Sequence, residues 1–163
     1  MENAYHVGMA DLVVVSAPAK LITLGLGSCI GLVIFDPTAK IAGMAHIMLP
    51  DSHGSKGKEK VGKFADIAVP AVVDEMIKKG ATKSRMKAKM AGGAQMFALP
   101  GTPTDFLAVG SRNIKETTAM LAKLGIPLVA SDTGGNKGRS VEFSTTTWML
   151  AIKTLGKKDT TDI

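Results

Sequence analysis

Only one cysteine, Cys29, stands in this chain of 163 residues. A single thiol closes no internal disulfide, so a disulfide-stapled fold is excluded and a reducing cytoplasm is the expected compartment. Long apolar runs are also missing. The longest uncharged stretch, Leu21 to Phe35, is broken by three glycines and falls short of the about 20 residues a membrane helix needs. The opening MENAYHVGMAD has no basic region followed by an apolar core, so no signal peptide and no membrane insertion are expected. Histidines are few as well. His6, His46 and His53 together with one cysteine have no zinc-ligand spacing, which predicts no metal. Aromatic residues make up 4% of the chain, and none interleaves the lysines of KGKEKVGK or of Lys83 to Lys89. The net charge of +6 therefore reads as solvated surface lysine, or as a face for an acidic protein partner, and not as a nucleic-acid site. The glycine-rich DTGGNKGRS lacks the order of a phosphate loop. Neither GLGSCIG nor AGGAQMF sits in the strand–GxGxxG–helix context of a dinucleotide site, so no cofactor is expected.

What is present is the pattern of an ordinary globular chain, read as one domain over residues 1–163 with flexible ends at 1–6 and 155–163. Strands are predicted at Met9–Ala17, Leu21–Leu24, Ile30–Phe35 and Lys40–Leu49, the last two joined as a hairpin through DPTAK. Further strands are predicted at Arg85–Met90, Thr104–Val109, Leu128–Ser131, Val141–Thr145 and Trp148–Lys153. Two helices are expected. One lies within Lys63–Lys79, with Phe64, Ile67, Ala71, Val72 and Met76 inward, and either kinks or starts at Pro70. The other starts at an Asn113–Glu116 capping box, turns Ile114, Thr117, Thr118 and Leu121 inward, and ends at Gly125 and Pro127. More strands than helices, with hairpin turns among them, define an α+β layered fold.

The chemistry-bearing stretch is LITLGLGSCIGLVIFD, Leu21 to Asp36. A cysteine used only as a small hydrophobe needs no glycines around it. Glycines on either side of Cys29 let the backbone approach a ligand and leave amides free for a developing oxyanion, with Gly27 and Ser28 as the candidate donors. The G-x-S-x-G elbow is a near match, but here a strand follows instead of a helix, which excludes the α/β-hydrolase fold. A nucleophilic thiol needs a base. His6 is near the terminus and His53 is in a polar loop, whereas His46 sits in the apolar strand GMAHIMLP, on one face with Met44 and Met48. The hairpin brings the ends bearing Cys29 and His46 together. Thr23, on the strand before the glycine corner, offers a hydroxyl and a carbonyl.

Several motifs in register carry a resemblance: VGMADLVV, LITLGLGSCIGLVIFD, AGMAHIMLP, KFADIAVPAVVDEM, AKMAGGAQMF, VGSRNI and SDTGGNKGR. Over roughly Val7 to Phe143 the chain resembles the CheD family of chemotaxis proteins. The resemblance implies a cysteine-dependent hydrolase of the cytoplasm, working at chemoreceptor signalling domains and converting glutamines of methyl-accepting chemoreceptors to glutamate with release of ammonia. It implies an αββα sandwich of mixed, largely antiparallel sheets with helices on the outer faces, similar to the catalytic domain of cytotoxic necrotizing factor toxins. The family's nucleophile falls on Cys29, its general acid/base on His46, and its third residue on Thr23, which orients the imidazole through its hydroxyl or its carbonyl. The cysteine of such a pair is expected to ionise below an ordinary thiol. Ala42 and Ala45 stand where many relatives carry glycine and asparagine. The alternative role the resemblance implies is a non-catalytic adaptor that binds and stimulates CheC, the phosphatase of phosphorylated CheY.

Overall fold

Alternating apolar residues build two sheets that face one another. The structure, a computed structural model, describes residues 2–95 and 108–163. In the first sheet β1 (Asn3–His6), β3 (Ala19–Leu26), β8 (Arg139–Ser144), β9 (Leu150–Thr154) and β10 (Thr161–Asp162) run in the order β1-β3-β8-β9-β10. In the second, β2 (Leu12–Ser16), β5 (Ile41–Ile47), β4 (Ile30–Asp36), β6 (Lys87–Gly92) and β7 (Leu128–Thr133) run in the order β2-β5-β4-β6-β7. Each sheet contains one parallel pair, β1 with β3 and β6 with β7, among antiparallel ones. Among the described residues the α-helices are α1 (Ala65–Lys78) and α2 (Val109–Lys123). The chain from β6 to its parallel neighbour β7 passes through α2, as a parallel crossover requires.

The central strands β4 and β5 are buried along their whole length. Their odd and even residues face two different cores, which is why they read as continuous apolar runs and not as alternating ones. Ile30, Leu32, Ile34 and Ile47 pack under the helices with Val69, Val72, Met76 and Leu121. Val33, Phe35 and Met44 pack between the sheets with Leu21, Leu26, Val141 and Phe143. Full burial of such side chains is worth about 1.5–3 kcal/mol each, so the two layers together pin the strand pair that carries the candidate chemistry.

The α+β class, the two mixed and largely antiparallel sheets, and the β4–β5 hairpin match the sequence reading. The helix placement is narrower than expected: both described helices cover the outer face of the second sheet, so among the described residues that face alone has a helical layer. Helix α1 runs through Pro70 without ending, giving up only the hydrogen bond that proline cannot donate. Its buried face is Ala65, Ala68, Val69, Val72, Val73 and Met76, while Ile67 is exposed. Helix α2 begins at Val109, a turn earlier than the capping pattern indicated, so Asn113 lies inside it and is buried, and Thr118 faces outward. Lys83–Arg85 forms a 3-10 turn ahead of β6. Of the strand expected at Thr104–Val109, residues 104–107 lie outside the described residues and Val109 opens α2. Asn3–His6 and Thr161–Asp162, expected to be flexible, are strands β1 and β10 at the two edges of the first sheet.

Candidate active site

The pleat decides which residues can meet. On β5 the even residues Ala42 and Met44 face the first sheet, and His46 continues that row. Ala45 faces the helices instead, away from the histidine ring. Directly across the ladder, Gly31 of β4 pairs with His46. A Cβ at Gly31 would stand 3.0 Å from Leu26 Cδ1, 3.3 Å from Thr23 Cγ2 and 3.3 Å from Val141 Cγ2. The missing side chain is therefore what lets β3 come down over β4 and bring Thr23 to the imidazole. Cys29, two residues ahead of Gly31, is partly buried and packs against the same intersheet core.

Thr23 and His46 are buried and share a hydrogen bond of 2.7 Å between Thr23 Oγ1 and His46 Nδ1. The Thr23 hydroxyl also donates to Val7 O at 2.6 Å. With its one proton given to Val7, the oxygen can only accept from the ring, so Nδ1 carries the hydrogen. The neutral imidazole then has its lone pair on Nε2. Nε2 is buried and has no hydrogen-bond partner among the described residues. It is a base with nothing attached.

The VGMAD segment explains how this is held. The Val7 amide donates to Ile22 O at 2.7 Å, which fixes the carbonyl that receives Thr23. The Ala10 amide donates to His46 O at 3.0 Å and the His46 amide to Asp11 O at 3.1 Å. Burial pushes the His46 pKa below its ordinary value, with the Asp11 carboxylate opposing it weakly from a distance. Burial pushes the Cys29 thiol up. This runs opposite to the sequence expectation of a lowered thiol, because desolvation penalises the thiolate. The resting pair is a neutral thiol and a neutral imidazole.

The corner before Cys29 is tied down through its carbonyls. Gly27 O accepts from the Ala94 amide at 2.9 Å and Cys29 O from the Gly93 amide at 2.9 Å. Ser28 O accepts from Asn113 Nδ2 at 2.9 Å. Gly92 has φ +111°, and a Cβ there would lie 2.2 Å from Cys29 O, so the AGGA turn must be glycine at this position to approach the Cys29 backbone. A trans peptide points its C=O and the following N–H in opposite directions. The Ser28 and Cys29 amides thus point away from these anchors, and neither donates to another described residue.

Sequence reasoning singled out Thr23, Gly27, Ser28, Cys29 and His46, and the structure brings Thr23 and His46 into contact, with Cys29 packed against the same intersheet core. His6 lines a cavity of about 180 Å³ together with Val7, Met9, Leu24 and His46, while His53 is exposed in its loop. Val7, Gly31, Gly92 and Asn113 were missed. The paired glycines after an apolar strand were the available signal for Gly92. A larger concavity, about 590 Å³, lies between β2 and α1 and contains none of the candidate residues. Its size is outweighed by the buried, oriented imidazole elsewhere. Among the described residues no three of His, Cys, Asp and Glu converge to hold a metal ion, and no helix is long and apolar enough to cross a membrane.

Fold and site define an α+β protein of two facing sheets, with a lone cysteine and a threonine-anchored histidine at one end of the intersheet layer. The chain belongs to the CheD family: residues 48–154 match the family model described as CheD chemotactic sensory transduction. A probable chemoreceptor glutamine deamidase CheD of Caldanaerobacter subterraneus subsp. tengcongensis is 48% identical over 93% of this chain and 93% of its own. A probable chemoreceptor glutamine deamidase CheD of Desulfitobacterium hafniense is 48% identical over 95% and 96%. The chemoreceptor glutamine deamidase CheD of Halalkalibacterium halodurans is 44% identical over 98% and 99%. Among solved structures, the hypothetical protein YfiH of Bacillus licheniformis is 14% identical with a TM-score of 0.48, covering 77% of this chain and 51% of that one.

Proposed function

We propose that this protein is a cysteine-dependent deamidase that converts glutamine side chains of chemoreceptors to glutamate, with Cys29 as nucleophile, His46 as general acid and base, and Thr23 as the residue that orients the ring. The relatives named as chemoreceptor glutamine deamidases support the reaction and its substrate. The observation that carries the assignment of roles is the threonine–imidazole bond that leaves a buried Nε2 unprotonated and, among the described residues, unpartnered.

The chemistry follows from that tautomer. Nε2 removes the Cys29 proton as sulfur attacks the side-chain carbonyl carbon, forming the C–S bond and moving the carbonyl electrons onto oxygen. The amides at the Gly27–Ser28–Cys29 corner are the donors for this oxyanion. Collapse of the tetrahedral species breaks the C–N bond while Nε2–H protonates the departing nitrogen, releasing ammonia and leaving a thioester. Water then attacks the thioester as Nε2 takes its proton, and the proton returns to sulfur as glutamate leaves. No redox step or external electron acceptor is needed. The setting is the receptors' signalling region on the cytoplasmic side. No feature of the site favours the CheC-adaptor role.

The test is mass spectrometry of receptor cytoplasmic fragments incubated with the purified protein. Amide-to-acid conversion at glutamine with wild-type protein, and none with Cys29→Ala or His46→Ala, is the expected result. Conversion by Cys29→Ala at the wild-type rate would remove the thiol from the mechanism.

A further inference from the structure

We infer that Asn113 is a positioning residue that holds the nucleophile loop and the histidine strand at a fixed separation, an inference that rests on the deamidase reading above. The β4–β5 ladder ends at the pair Ile30–Ile47. Beyond it the backbones stop bonding to each other. The Met48 amide turns to Lys63 O at 2.9 Å, and Cys29 O is taken by the Gly93 amide. Asn113 enters this fork from α2. Its Nδ2 donates to Ser28 O at 2.9 Å and to Met48 O at 3.0 Å.

Both hydrogens of the primary amide are thereby used, one on each side of the fork. Because they diverge by about 120° in a planar group, the two carbonyl oxygens are kept about 5 Å apart, a separation set by covalent geometry. Ser28 is bonded directly to Cys29, and Met48 is two residues past His46. The side chain therefore replaces the missing backbone rung at the point where the two catalytic segments part. Asparagine has no local reason to be here: it is a weak helix former, and its side chain serves no cap in α2. It is fully buried, and both its bonds reach residues far away in the chain.

The clamp is tested by measuring kcat and KM on receptor fragments for Asn113→Ala, with Leu121→Ala as a control. Leu121 is buried in the same helix against the helical core, far from the reacting groups. Asn113→Ala is expected to lower kcat by roughly 100-fold, the effect of a displacement of about 1 Å between reacting groups, with KM nearly unchanged. Leu121→Ala, even with an equal fall in Tm, is expected to keep its kcat. Wild-type kcat in folded Asn113→Ala overturns the inference, as does an equal kcat loss in Leu121→Ala.

If Asn113→Ala does not fold, Asn113→Asp decides. The introduced carboxyl, facing two carbonyls in a buried site, keeps one donor hydrogen while protonated, and its pKa is raised there. Its kcat relative to wild type is expected to fall as pH rises and the carboxyl ionises, whereas a ratio independent of pH overturns the clamp. Cys29→Ala, assayed alongside, separates the two levels. Turnover by Cys29→Ala overturns the deamidase reading itself. Its inactivity together with a fully active Asn113→Ala overturns only the clamp.

Discussion

Thr23→Val is the most informative single change, because it keeps the shape of the side chain and removes only the hydroxyl. That hydroxyl donates to Val7 O and accepts from His46 Nδ1. The substitution leaves a buried N–H and a carbonyl without their partner, and each such group costs about 1–3 kcal/mol. A fall in stability of roughly 2–6 kcal/mol follows, a large share of the 5–15 kcal/mol typical of a folded domain. The catalytic loss has a separate origin. Without an acceptor at Nδ1 the ring no longer favours the tautomer with a free Nε2. Losing about 1–3 kcal/mol of that preference corresponds to about 10–100-fold in kcat. The assay pairs the deamidation rate with 15N NMR of the imidazole, in which the wild-type ring should show Nδ1 protonated and Nε2 bare. Thr23→Ser, which restores the hydroxyl, should recover both the tautomer and most of the rate. Thr23→Ala should fare no better than Thr23→Val, because the hydroxyl and not the backbone carbonyl of position 23 meets the ring. Wild-type kcat in a folded Thr23→Val, with the tautomer unchanged, would refute the reasoning.

Alkylation of Cys29 by iodoacetamide should be slow near neutral pH and rise with a midpoint above the ordinary thiol range, since burial raises its pKa; rapid labelling at mildly acidic pH would show a preformed thiolate. Gly31→Ala should lower stability by about 1–3 kcal/mol through overpacking and reduce kcat with it, because the new methyl meets Thr23, Leu26 and Val141; full activity with unchanged Tm would show that β3 can retreat without cost. The His46 pKa lies below its ordinary 6.5, so kcat/KM should hold down through that pH and fall only below it. For the same reason the folded protein binds fewer protons at His46 than the unfolded chain. Stability should be complete above about 6.5 and decline as pH falls toward and through the folded value. His46→Gln should flatten that decline, and an undiminished slope in this variant would assign it to other groups.

The parts legible in the sequence were those written in local pattern. Ile30–Asp36 and Ile41–Ile47 are continuous apolar runs joined by DPTAK, and the hairpin they predict is present in register. The glycine corner and the histidine strand gave Cys29 and His46 their candidate roles, and the family resemblance gave Thr23 its own. What was not legible depends on contacts between distant segments. Asn113 and Glu116 have the spacing of a capping box, yet α2 starts at Val109 and the asparagine serves Ser28 and Met48 instead. Asn3–His6 carries no strand periodicity and becomes a strand because β3 offers it a parallel edge. Helix α1 turns Ala65, Ala68 and Val69 inward and Ile67 outward, because the phase of a helix is fixed by the sheet beneath it and not by its largest side chain.

The raised thiol and the lowered imidazole have one consequence in common. Burial favours the neutral form of each group, so forming the ion pair before substrate arrives would place two charges where desolvation penalises both. On the mechanism proposed above, proton transfer from sulfur to Nε2 becomes favourable only when the negative charge has somewhere to go. The amide carbonyl supplies that destination, and its oxygen receives the charge at a corner whose carbonyls are already committed to Ala94, Gly93 and Asn113. Charge therefore develops with attack and not before it. A thiol that stays protonated until then is a poor target for oxidants and alkylating agents. In a chain with no second cysteine to rescue a sulfenic acid as an internal disulfide, keeping Cys29 neutral at rest would also protect the thiol on which the proposed mechanism depends.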